Sequence, residues 1–223
     1  MKKLAILILI LGLVLTPGCK TPKEGELIYT APYEMGVDVG EYLPGTGIRY
    51  VGITDTGAHL TIDGQDAYKQ KGDSLNWSGK PADFAALAFS GRVVWYTDTA
   101  CHMLGTATLT IEDAVPQIVP NIPEAPLRYT AVVSYNIKKG AKMPGTLISY
   151  KGSTDKGAEL EGVEGYAYRK AGDSIVWQGK LRDGVYLVVN VRTVFYTDTA
   201  LQVAGTAEVI LVPPGASGSG FGG

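Results

Sequence analysis

Histidine and cysteine are scarce in this 223-residue chain, with two of each: His59, His102, Cys19 and Cys101. Two cysteines define no disulfide framework, and a metal site wants more imidazole and thiolate ligands than these four scattered positions offer. Charge is thin as well. Only 19% of residues are charged, 20 basic against 22 acidic, for a net −2, so no basic excess offers itself to a nucleic-acid backbone. Long apolar runs are missing too: residues 4–15 would make about 18 Å of helix, where a bilayer core needs roughly 30 Å.

What the chain has is turns and β-formers: 29 Gly, 12 Pro and 45% hydrophobic residues. Short strand-like runs alternate with turn formers such as Pro44-Gly45, Asp63-Gly64 and Gly72-Asp73, which predicts an all-β protein. It also has a repeat. Trp77, Gly79, Lys80, Asp83, Leu87, Arg92, Val94 and Tyr96 through Ala100 recur one hundred positions later as Trp177, Gly179, Lys180, Asp183, Leu187, Arg192, Val194 and Tyr196 through Ala200. The offset also relates Tyr29-Thr30-Ala31 to Tyr129-Thr130-Ala131 and Gly105-Thr106-Ala107 to Gly205-Thr206-Ala207. A duplicated β module with unchanged loop lengths is the expected unit.

Alternation predicts which side chains each copy buries. Leu75, Trp77, Ala85, Leu87, Phe89, Val93, Trp95, Ala107, Leu109 and Ile111 are odd-numbered and apolar, while Ser74, Asn76, Ser90, Arg92, Thr108 and Thr110 are polar. The second copy keeps Ile175, Trp177, Val185, Leu187, Val189, Val191, Phe195, Ala207, Val209 and Leu211 in the odd set. A period of two is the signature of a sheet with one buried face.

The resulting organisation is a signal peptide over 1–18, a polar tether over 19–26, repeat 1 over 27–112, a Pro-rich linker over 113–126, repeat 2 over 127–212 and a Gly/Ser-rich tail over 213–223. Lys2 and Lys3 before a twelve-residue apolar stretch have the form of a secretion signal. Gly18 followed by Cys19 resembles the lipobox of bacterial lipoproteins, which implies acylation of Cys19 and attachment to a membrane through lipid. Pro116, Pro120, Pro123 and Pro126 predict an extended, semi-rigid linker, on which the two modules would sit as separate beads.

A family resemblance covers about 170 residues, on the motifs Leu43-Pro44-Gly45, Tyr50-Val51, Gly72-Asp73, Trp77 with Gly79, Thr99-Ala100 and Gly105-Thr106-Ala107. Together they resemble the immunoglobulin-like conserved repeat of bacterial and archaeal cell-surface proteins. The resemblance implies two tandem immunoglobulin-like antiparallel β-sandwiches displayed at a surface, with no catalytic residues and no cofactor.

Candidate sites are few. His59 and His102 align with Glu159 and Gln202, and Cys101 with Leu201; the histidines read as surface or loop positions and the thiol as a small buried hydrophobe. The repeated aspartates read as turn formers. Lys80 and Lys180 are expected to pair with Asp83 and Asp183. Tyr96, Tyr196, Tyr186, Tyr166 and Tyr168 are candidate ligand-facing aromatics for a glycan or protein partner, or cross-strand packing residues. The expectation is a non-enzymatic, exported, lipid-anchored surface protein with a structural, adhesive or spacer role. The alternatives are a self-assembling filament subunit built by β-strand addition, or a glycan-binding accessory module.

Overall fold

The computed structural model describes residues 25–125 and 127–212, and among them every regular element is a β-strand. The first half contains β1 (Leu27–Asp38), β2 (Ile48–Thr54), β3 (Gly57–Ile62), β4 (Gln65–Lys69), β5 (Ser74–Ala82), β6 (Ala85–Tyr96) and β7 (Ala100–Ile111). The second contains β8 (Leu127–Lys138), β9 (Ser149–Thr154), β10 (Gly157–Glu161), β11 (Tyr168–Arg169), β12 (Ser174–Arg182), β13 (Val185–Tyr196) and β14 (Ala200–Leu211). They form four antiparallel sheets: β1-β7-β6-β5, β2-β3-β4, β8-β14-β13-β12 and β9-β10-β11. Register follows the same offset in both halves, with Leu27 opposite Ile111 and Leu127 opposite Leu211.

Local chemistry explains several boundaries. Pro32 sits inside β1, where a missing N–H is tolerated because β1 is an edge strand. Asp63 and Gly64 have φ of 51° and 81°, the left-handed pair a two-residue hairpin turn requires between β3 and β4. β6 runs unbroken from Ala85 to Tyr96 through Gly91. Gly91 lies opposite Gly105, and a Cβ there would come 2.7 Å from the Leu104 carbonyl oxygen. The absence of side chains at this crossing lets the strand continue.

Strands β1, β6, β7, β8, β13 and β14 each run 12 residues, about 40 Å and twice the usual strand. That length covers two partners. At the Val37, Cys101 and Tyr96 end the small sheet lies over the large one: Tyr50 is fully buried, and its hydroxyl donates to the Thr97 carbonyl, as Tyr150 does to Thr197. At the opposite end the large sheet of one half meets the other half.

That second contact is reciprocal. A Cβ on Gly45 would sit 2.5 Å from the Tyr129 hydroxyl, 3.3 Å from Leu87 and 3.5 Å from Leu127. A Cβ on Gly145 would sit 2.6 Å from Leu187, 2.9 Å from the Tyr29 hydroxyl and 3.1 Å from Leu27. Each half therefore brings its Pro-Gly turn against the opposite half's first strand, the self-complementary pattern of a two-fold interface. Tyr33 stacks on Tyr129 with ring centroids 5.9 Å apart, and the Tyr129 hydroxyl donates to the Pro44 carbonyl at 3.4 Å. The buried apolar residues of both halves form one continuous cluster.

The expectation of separate beads on a semi-rigid linker is thus corrected. The linker itself docks. Ala114 N–H donates to Gly25, Val115 N–H to Leu181, and Gln117 exchanges both backbone hydrogen bonds with Lys180 at 2.8 and 2.9 Å. Pro116 falls at the position whose N–H would point away from β12, so the proline costs no ladder bond.

Candidate functional site

Most of the odd-numbered face is buried, Leu75, Leu87, Phe89, Leu109, Ile111, Ile175, Leu187, Val209 and Leu211 among it. Three residues of that set are not: Trp95 is 42% and Phe195 59% exposed, and Trp77 is only partly covered. Register shifts between Val93 and Trp95 and between Thr193 and Phe195 are β-bulges. One extra residue reverses the alternation beyond it, sending Trp95 and Phe195 outward and turning Tyr96 and Tyr196 back to pack against the core. Trp95 then pairs opposite His102 and stacks on its ring at 3.8 Å. Sequence alternation offered no sign of these bulges.

Of the five candidate tyrosines, the only ring contact is between Tyr166 and Tyr168, with centroids 5.3 Å apart and planes tilted by 57°. Tyr166 is exposed and Tyr168 half-buried with the Lys156 ammonium 5.3 Å above its ring. Tyr186 is half-buried in β13, opposite Lys180. The five do not form one strip. Besides Trp95 and Phe195, the exposed aromatics outside this set among the described residues are Tyr42, flanked by the Arg49 guanidinium at 5.8 Å, and Tyr68, stacked on His59 at 4.8 Å.

Polar candidates resolve into local structure. His59 and His102 lie on strands β3 and β7, not in loops, and His59 contacts Asp66 at 2.7 Å. Asp73 and Asp173 each accept the backbone N–H three residues earlier at 2.7 Å, closing equivalent turns. Lys180 pairs with Asp183 at 2.5 Å, whereas Lys80 reaches Glu112 at 3.6 Å rather than Asp83. Cys101 is fully buried, and burial pushes its thiol up to about 11. Cys19 lies outside the described residues.

The clearest difference between the halves is at the outer edges of β5 and β12. Trp177, Gly179 and Leu181 are buried, while Trp77, Gly79 and Pro81 are only partly covered and Lys80 is exposed. In the second half, residues 115–117 run along the edge. The Gln117 carbonyl would stand 2.4 Å from a Cβ on Gly179. In the first half no described residue bonds to that edge. A groove of about 400 Å³ opens there, lined by Gly45, Gly47, Trp77, Lys80, Pro81 and Leu127. The Trp77 indole N–H donates to Asp63 at 2.8 Å beside Gly47. Val163 and Leu147 take the places of Asp63 and Gly47 in the second half, and the buried Trp177 indole N–H has no hydrogen-bond partner.

Comparison with protein-family models, with curated proteins and with solved structures returns no match.

Proposed function

We propose that this protein is an exported, lipid-anchored, non-enzymatic surface module, two immunoglobulin-like β-sandwiches in tandem that serve as a stiff spacer or adhesive unit. The observation that carries the reading is the reciprocal seating of Gly45 on Leu127 and Tyr129 and of Gly145 on Leu27 and Tyr29. A spacer or adhesin has to hold its ends at a fixed separation. A shared apolar core and a linker bonded to β12 supply that stiffness, which a free hinge would not. Attachment is assigned to Cys19, following the apolar stretch 4–15 and Gly18, because several acyl chains on one residue anchor stably where one is marginal.

Radiolabelled palmitate supplied to cells expressing the chain tests the anchor. Label is expected in the wild-type protein and in none of the Cys19→Ala variant. Equal labelling of the two, or no labelling of either, removes the anchor from the proposal.

A further inference from the structure

We infer that the outer edge of β5, residues 78–82, is a strand-addition site that takes an extended peptide from a protein other than a second copy of this chain, with an apolar side chain entering the groove beside Trp77. The inference stands on this edge alone and does not depend on membrane attachment or on where the protein resides.

The molecule carries its own example of the occupied state. On β12, Lys180 exchanges two backbone hydrogen bonds with Gln117, and the Leu181 carbonyl accepts from Val115. Ile118 from the same segment lines the cavity beside Trp177. β5 has the same register with β6 over Ser74–Gly79 and at Ala82 as β12 has with β13, but its irregularity starts one residue earlier, so Lys80 lacks the cross-strand partner that Lys180 has in Tyr186. The Lys80 N–H and C=O have no backbone partner along the outer edge of β5 among the described residues, where Lys180 has Gln117. Pro81 does not spoil the site, because the equivalent Leu181 contributes only its carbonyl to the docked strand. The groove walls are apolar on one side, from Trp77, Pro81 and Leu127, and glycine backbone at Gly45 and Gly47 on the other. Main-chain bonds supply the affinity in strand addition and a side-chain pocket supplies the choice of sequence.

A capped, fluorescently labelled peptide with the sequence of residues 114–119 (Ala-Val-Pro-Gln-Ile-Val) tests this on the full chain. Its anisotropy is expected to rise saturably on adding protein. At ten times the dissociation constant, amide exchange at Lys80 is expected to slow about tenfold. The same peptide N-methylated at the glutamine amide, which cannot donate to the edge, is expected to do neither. No binding overturns the proposal, as does equal binding of the methylated peptide, which marks apolar adhesion without strand pairing. A Lys80 amide already protected without peptide overturns it too. If that protection grows with protein concentration, the edge belongs to a second copy of this chain.

Discussion

Removing the Tyr129 ring separates a shared core from two independent ones. Tyr129 is 3% exposed, stacks on Tyr33 of the other half and donates to the Pro44 carbonyl at 3.4 Å. A buried aromatic ring covers roughly 200 Å², about 5 kcal/mol at about 25 cal/mol per Å². Large-to-small aromatic substitutions in cores cost about 3–5 kcal/mol. The long hydrogen bond adds under about 1 kcal/mol. Tyr129→Ala is therefore expected to cost about 4 kcal/mol, lowering a urea midpoint by roughly 1.3–2 M at a slope of about 2–3 kcal/mol per M. Tyr129→Phe, which keeps the ring, should cost at most about 1 kcal/mol. The decisive assay is native-state hydrogen exchange read separately in β6 and β13. If the core is shared, protection in β6 falls together with protection in β13, although the substitution is in the second half. Loss of protection confined to β13, with β6 unchanged, would refute the argument that the halves stabilise each other.

Two further outcomes follow from particular environments. Trp95→Ala should cost under about 1 kcal/mol and Trp177→Ala about 3–5 kcal/mol, because the β-bulge exposes the first and the docked linker buries the second; similar thermal shifts would contradict that placement. Alkaline pH should destabilise the fold: burial raises Cys101 from 9.0 to about 11 and Tyr33 to about 12, and raises Tyr29 and Tyr129 further. Below pH 9 both folded and unfolded thiols are protonated and stability is at its full value. Between about 9 and 11 mainly the unfolded thiol ionises, removing on the order of 3 kcal/mol at about 1.36 kcal/mol per pH unit. Cys101→Ala should flatten that part of a urea midpoint versus pH curve, and an unchanged slope would show the thiol is not the titrating group.

Much of the strand pattern was readable from residue order because a one-sided sheet imposes a period of two. Leu75, Leu87, Leu109 and their partners at 175, 187 and 209 could be assigned to the core before any coordinate. Turn positions were legible for the same kind of local reason: Asp63-Gly64 and Gly72-Asp73 combine residue types that tolerate left-handed backbone with side chains that close their own loops. The failures have two causes. Trp95 and Phe195 fall on the opposite face from the one alternation assigns them because a bulge inserts one residue without leaving a mark in composition, and the same bulges turn Tyr96 and Tyr196 inward. The Lys80 to Glu112 pairing was missed because it joins β5 to the residue just past the end of β7, positions that only the sheet order brings together.

By itself the sequence determined the all-β character and most of the inward face, which depend on neighbours within a few positions, and it displays the hundred-residue offset directly. Tertiary structure alone decided that the two halves bury part of their inward faces against each other, and that residues 115–117 line β12 while no described residue lines the same edge of β5. Those outcomes rest on contacts between residues eighty or more positions apart and on the sixty-odd positions that separate the linker from β12. Their formation balances chain entropy against apolar burial, a quantity no local pattern encodes.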